Sequence, residues 1–186
     1  MLGILAALVY SAAFLHYIYK IVKGSNKPNR SSWLIWSILG FVLLGSYYSV
    51  GARETLPLLV VNQIGMISVF LFSIKSGQGG TNKFDLVCLS GAGVSLFAWW
   101  VSNNPLYALL LAILTDLIGA LPTIKKSIEQ KEGEDNITWA LFFIGNLINL
   151  IASDITSFSD YIYPLYMSLL CLLISFLLLR HKLLKK

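Results

Sequence analysis

Long apolar runs separated by short polar breaks dominate the sequence. A helix needs about 20 mostly apolar residues to cross the hydrocarbon core of a membrane. The breaks at 23–30 and 76–82 are rich in glycine, asparagine and serine, which favour turns. We therefore predict seven transmembrane helices, at 2–22, 32–50, 55–75, 84–102, 105–123, 137–155 and 161–180.

The basic residues fall on one side of this predicted topology. All of the 14 lysines and arginines except Arg53 lie in the 1–2, 3–4 and 5–6 connections, at the adjoining helix ends or in the C-terminal tail. Because cytoplasmic loops carry an excess of lysine and arginine, that side is predicted to be cytoplasmic. The N-terminus is then outside and the C-terminus in the cytoplasm.

Composition supports a membrane protein. Only 12% of the residues are charged and 56% are hydrophobic, whereas soluble domains carry about 25% charged residues. The positive charge lies in short loops between apolar runs, which indicates topogenic charge rather than a nucleic-acid-binding surface. We expect the lipid bilayer as a partner and no nucleic acid.

The chain contains a weak internal repeat. Adding 106 to the residue number maps 2–75 onto 108–181 without a gap, which aligns Ser32–Trp33 with Thr138–Trp139, Lys20 with Lys126 and Glu54 with Asp160. An odd number of linking helices gives both units the same orientation, as in parallel transporter repeats. We predict a 3+1+3 architecture: a first three-helix bundle at 1–76, a linker helix at 77–104, and a second bundle with a basic tail at 105–186.

Several short motifs carry a family resemblance. Pro122 lies near the inner end of the second unit's first helix, Asp116 lies six residues before it, and the loop 27–30 reads Lys-Pro-Asn-Arg ahead of Ser32–Trp33. With these features the chain resembles the SWEET, semiSWEET and PQ-loop transporters, and most closely a set of uncharacterised bacterial seven-helix membrane proteins. The resemblance implies alternating access between two three-helix halves, a hinge at Pro122 and a location in a bacterial inner membrane.

The chain also departs from that family's pattern. His16 stands in the first unit where the second has Pro122, and neither unit has a proline–glutamine pair. Sugar transporters of the family line their pocket with tryptophan and with asparagine from the third helix of each unit. Asn62 matches that asparagine, but its repeat mate is Ser168, and we expect Trp33 and Trp139 to lie too near the cytoplasmic face. Trp33, Trp36 and Trp139 are placed near the inner interface, and most aromatic residues near the helix ends are interpreted as interfacial anchors. Sugar specificity is therefore left open.

Polar residues near the centres of four predicted helices form a candidate solute site. An ionisable side chain at that depth costs at least about 2.5–3.5 kcal/mol, so Asp116 is expected to face a cavity, a partner or a proton pathway. It is the candidate for proton coupling, although a hydrogen-bonded carboxyl that only braces the bundle is the alternative. The asparagines have a similar alternative as interhelical contacts. The candidate substrate-binding residues are Tyr10, Asn62, Gln63, Asp116, Asn146 and Asn149.

Other function classes lack their motifs. The sequence has no HExxH motif and no paired acidic motifs, so we expect neither an enzyme, a metal nor a cofactor. A retinal protein is disfavoured because the seventh span has no lysine. The 125–136 segment is interpreted as a solvated cytoplasmic linker.

We expect facilitated or proton-coupled transport of a small polar solute such as a sugar or amino acid, with a seven-helix receptor or solute-binding protein as the alternative. A homo-oligomer is left open.

Overall fold

Seven helices make up the regular structure of the described chain. A computed structural model describes residues 1–49, 56–102, 105–129, 134–153 and 158–184. Arg53 and Glu54, which entered the topology and repeat arguments, lie outside the described residues. The helices are α1 Leu2–Val22, α2 Arg30–Ser49, α3 Leu56–Ser76, α4 Lys83–Val101, α5 Pro105–Ile128, α6 Asn136–Ala152 and α7 Phe158–Leu184.

The surface of this bundle suits a membrane. Four helical segments are long and apolar enough to cross one, Leu2–Val22, Leu56–Ser76, Lys83–Val101 and Tyr161–Arg180, while the apolar parts of α2 and α6 are shorter. Large apolar side chains stand exposed around the bundle, including Leu15 at 69%, Val94 at 70% and Trp100 at 73%. Soluble monomers rarely expose such extensive apolar surface. The prediction of an all-helical membrane protein is confirmed at this level, and the assignment of all seven helices as spans stays a prediction.

Each set of three consecutive helices packs in the same order. Helix α3 packs against both α1 and α2, and α7 packs against both α5 and α6. The two groups meet where α1 contacts α6 and where α2 contacts α5. Helix α4 packs mainly on α5 and touches α2.

The loop that carries the Lys-Pro-Asn-Arg motif holds the start of α2 against the end of α3. Asn29 Oδ1 accepts the Ser32 backbone N–H at 3.2 Å, and Arg30 donates to the carbonyls of Ser73 and Gly79 at 3.0 and 3.1 Å. At the start of α6, Asp135 likewise accepts the Thr138 N–H at 2.9 Å. Such side-chain caps satisfy otherwise unpaired N–H groups at a helix start.

Helix α5 runs to Ile128, past the predicted end at 123. Pro122 lies inside it, and membrane helices tolerate an interior proline when neighbouring groups satisfy the freed backbone. The extra turn carries Lys126 and Ser127, which are 4% and 1% exposed. Their buried contacts hold this turn helical, so the polar sequence there does not mark a loop.

Close approach of α1 and α6 requires a glycine. A Cβ at Gly145 would meet the Tyr10 ring at 2.5 Å, whereas a Cβ at Gly93 on α4 would meet nothing within 4 Å. Small residues allow membrane helices to approach closely in this way.

We predict that Gly145→Ala destabilises the folded protein by about 1–3 kcal/mol, the usual cost of overpacking a core. The matched Gly93→Ala should stay within about 1 kcal/mol of the parent, because it only changes helix propensity. Thermal unfolding of both variants in detergent provides the comparison. Equal losses for the two would show that the α1–α6 contact is not tight.

Candidate functional site

A small cavity, here called the main cavity because it is the candidate solute site, lies between the two three-helix groups. Five helices contribute its walls, and its volume of about 30 Å³ leaves room for one or two water molecules. A solute larger than water therefore needs the helices to separate. The lining residues are Tyr10, Phe14, Trp33, Trp36, Asn62, Met66, Trp139, Phe142, Met167, Leu170 and Cys171.

Aromatic rings from both groups form the walls of this cavity. The ring centroids of Trp36 on α2 and Trp139 on α6 lie 6.2 Å apart, so one ring from each group meets here. The 106-residue offset relates Trp33 to Trp139 and Trp36 to Phe142. The two helices thus place aromatic residues at equivalent positions around one space.

The interpretation of three tryptophans as interfacial anchors is wrong. Trp33, Trp36 and Trp139 are only 2%, 4% and 3% exposed. Position along a span gives the depth of a residue but not the helix face on which it lies. These three residues lie on the inward faces of α2 and α6, so Trp33 and Trp139 line the cavity, contrary to expectation.

A second, smaller cavity brings together four of the residues predicted to bind solute. Its volume is about 10 Å³, and Tyr10, Asn62, Asn146 and Asn149 line it. The Asn146 amide donates to the Phe142 carbonyl at 3.1 Å and to the Cys171 sulfur at 3.4 Å.

Asn149 and Gln63, both predicted to bind solute, differ in where their side chains lie. Asn149 Oδ1 has no hydrogen-bond partner within the described part of the chain, and it belongs to the second cavity. Gln63 lines neither cavity, because its side chain turns to α2 and donates to the Ser37 carbonyl at 3.0 Å. The Gln63 Oε1 atom likewise has no partner among the described residues, but only Asn149 offers its acceptor to one of these cavities. Gln63 serves the α2–α3 contact.

Asp116 is fully buried beside the main cavity. Its carboxyl accepts hydrogen bonds from the hydroxyls of Tyr166 at 2.8 Å and Tyr163 at 3.3 Å. Its backbone carbonyl accepts the Trp36 indole N–H at 3.3 Å. The carboxyl therefore braces α5 against α7, and the Trp36 ring that bonds to the Asp116 backbone also lines the cavity.

A buried ion pair closes one end of the bundle, here called the basic end, where α1 and α5 end and α6 begins. Lys126 Nζ lies 2.8 Å from Glu134 Oε1, with side-chain exposures of 4% and 0%. Glu134 also accepts the Tyr17 hydroxyl at 2.8 Å and the Trp139 indole N–H at 3.0 Å. Lys126 in addition donates to the Lys27 carbonyl.

A second acidic residue extends this cluster. His16 Nε2 lies 3.0 Å and Lys20 Nζ 3.8 Å from the Asp135 carboxylate. Burial would raise the pKa of Asp135, but the hydrogen bonds from Thr138 and the nearby His16 and Lys20 hold that pKa below its usual value. Asp135 is therefore a carboxylate at neutral pH.

The prediction of a solvated linker at 125–136 is wrong for Lys126 and Glu134, while Lys125 and Glu129 are exposed to solvent as predicted. Residues 125–128 belong to α5, and the side chains of Lys126 and Glu134 are buried. Charge composition alone could not tell which carboxylate folds back on the bundle. One feature of the sequence could have indicated the burial of Glu134, namely its position four residues before Thr138–Trp139 at the start of a predicted span.

Pro122 lies inside α5 and lines a larger polar cavity at the basic end. That cavity has a volume of about 570 Å³, and Asn29, Asp85, Lys125 and Lys126 also line it. Asp85 within it already accepts hydrogen bonds from Asn82 at 2.7 Å and from the Gly80 N–H. The surrounding side chains thus organise the loops that follow α1 and α3.

Comparisons with protein-family models, with curated proteins and with solved structures found no significant match. The functional interpretation therefore depends on the geometry of the chain itself.

We predict that Lys126→Met destabilises the protein by about 3–5 kcal/mol, because it leaves the Glu134 carboxylate buried and without its cation. Lys125→Met is the matched control, since Lys125 pairs with Glu129 at 48% and 36% exposure and such pairs contribute about 0–1 kcal/mol. Thermal or denaturant unfolding in detergent measures both. The double variant Lys126→Met/Glu134→Leu should recover part of the loss, and a double variant as unstable as the single one would contradict the pairing.

Proposed function

We propose that this chain is a seven-helix membrane transporter that carries a small polar or charged solute through the cavity between two three-helix halves. The proposed topology has the N-terminus outside and the C-terminus in the cytoplasm. The observation that best supports this proposal is the position of the main cavity. Its lining comes from α1, α2 and α3 on one side and from α6 and α7 on the other. A site between two halves is where alternating access requires it.

Equivalent packing in the two halves supports a parallel repeat. The third helix of each group packs against the other two, and the caps Asn29 and Asp135 are related by the same 106-residue offset as the tryptophans. Two similar units that meet through few helices suit a rocking motion about the contact. Helix α4 would act as the linker that gives both units one orientation.

The ion pair at the basic end supports a closed cytoplasmic gate. Tyr17 and the Lys27 carbonyl belong to the first half, whereas Lys126, Glu134 and Trp139 belong to the second. Their hydrogen bonds therefore tie the halves together, and Trp139 links the tie to the cavity wall. In the proposed cycle these contacts break when the cavity opens to the cytoplasm.

A receptor that binds a solute without moving it is the competing function. It would use the same cavity but would need access from one side only. Access from both sides is therefore the property that separates the two functions, and a natural cysteine reports it. Cys171 lines the main cavity, and Cys88 is the other cysteine of the chain.

We predict that Cys171, in a Cys88→Ser background, reacts with a membrane-impermeant sulfonated thiol reagent added to either side of oriented vesicles. Glu134→Gln should raise the reaction rate from the cytoplasmic side several-fold, because the gate loses its ion pair. Glu129→Gln, at a partly exposed ion pair, should leave that rate unchanged.

Flux in proteoliposomes completes this test. Purified protein should exchange at least one radiolabelled solute from a panel of sugars, amino acids and amines. Labelling from one side only, with no flux of any member of the panel, would favour the receptor.

A further inference from the structure

The main cavity offers few hydrogen-bonding groups to a ligand. Asn62 is its single amide side chain among the described lining residues. The indole N–H of Trp36 is already donated to the Asp116 carbonyl and that of Trp139 to Glu134. Of the three lining tryptophans, only Trp33 has an indole N–H without a partner among the described residues. A sugar bound here would leave several hydroxyls without partners, and each buried unpaired polar group costs about 1–3 kcal/mol.

The aromatic rings meet at steep angles and so form a box. Trp33 and Trp36 are inclined at 88°, Trp139 and Phe142 at 75°, and Phe14 and Phe142 at 63°. Aromatic faces attract cations through their quadrupole, and boxes of this kind hold quaternary ammonium groups. Methyl groups on such a cation also gain from contact with apolar walls.

The charges around the cavity favour a cation over an anion. No lysine or arginine is found among the described lining residues. Asp116 lies one side chain away, and the groups that the structure places on its carboxyl are two tyrosine hydroxyls rather than a cationic side chain. Glu134 touches Trp139, but Lys126 neutralises it. An incoming positive charge would therefore meet aromatic faces and a nearby acidic group with no cation of its own.

We infer that the cavity between the two halves takes a small quaternary or multiply methylated ammonium solute. This inference rests on the proposed function only in identifying the main cavity as the solute site. A quaternary ammonium group has no N–H that needs a partner, so the lack of acceptors does not penalise it. The cavity has to widen for it, and the unbranched side chains of Met66 and Met167 in the lining adapt readily.

The first test compares choline with 3,3-dimethyl-1-butanol, a neutral molecule of nearly the same shape. Equilibrium binding to the purified full-length protein in detergent is measured with radiolabelled choline and unlabelled competitors. Choline should compete with itself at least tenfold more strongly than the neutral alcohol does. Equal competition by the two would overturn the inference, because shape rather than charge would then control binding, and no detectable choline binding would overturn it as well.

A pair of phenylalanine variants locates the site. Phe142→Leu removes an aromatic wall without leaving a polar group unpaired and should weaken choline binding about five- to thirtyfold, as expected for a desolvated cation–π contact. Phe97→Leu is the matched control, since Phe97 is 61% exposed and lies on α4, outside the cavity. Unchanged binding in Phe142→Leu would place the cation elsewhere and overturn the inference.

Proteoliposome flux separates this inference from the proposed function. Choline that binds but does not exchange across the membrane would support the site and contradict transport. Exchange of a sugar or amino acid without choline binding would support transport and overturn the assignment of the solute.

Discussion

The buried carboxylate of Glu134 determines how the two helix groups meet at the basic end. A carboxylate without solvent needs a cation and hydrogen-bond donors, because an unpaired buried charge is strongly destabilising. Lys126, Tyr17 and Trp139 supply these from α5, α1 and α6. The contact therefore fixes the relative position of three helices, and it orients the Trp139 ring that forms part of the cavity wall.

The 106-residue offset relates this contact to one between α5 and α2, which contains no charged group. Thr123, the repeat mate of Tyr17, donates its hydroxyl to Ser32 on α2 at 2.9 Å. The repeat mate of Glu134 is Pro28, so no ion pair forms there. A second hydrogen bond between α2 and α5, from the Trp36 indole N–H to the Asp116 carbonyl, is also uncharged. The two halves are thus linked through a buried carboxylate at α1–α6 and through neutral groups at α2–α5.

Hydropathy predicted the helices well because a membrane span is a long continuous signal. Depth along those spans also brought Tyr10, Asn62, Asn146 and Asn149 to one level, and the structure groups them around one cavity. Depth could not give the direction of a side chain. Gln63 follows Asn62 by one residue, about 100° around the helix, and so faces α2 instead.

The burial of Lys126 and Glu134 was beyond sequence reasoning for a different reason. Their partners are separated in the chain: Tyr17 lies 117 residues from Glu134, and the Lys27 carbonyl lies 99 residues from Lys126. A mixed run of lysine and glutamate gives the same composition whether it is solvated or folded back. Only the meeting of α1 with α6, a property of the tertiary fold, distinguishes the two arrangements.

The partners of the tryptophan N–H groups decide what chemistry the aromatic cavity presents. An indole can offer a ligand either its N–H, which suits a hydroxyl, or its face, which suits a cation. Here the N–H of Trp36 is donated to the Asp116 backbone carbonyl and that of Trp139 to the Glu134 carboxylate, both outside the lining. These two hydrogen bonds leave Trp36 and Trp139 only their faces to present, whereas the Trp33 N–H has no partner among the described residues. If those N–H groups were released, the same rings in the same helices would suit a hydroxyl-rich solute. Selectivity at the proposed site would therefore depend on the hydrogen bonds that hold the rings as well as on the rings themselves.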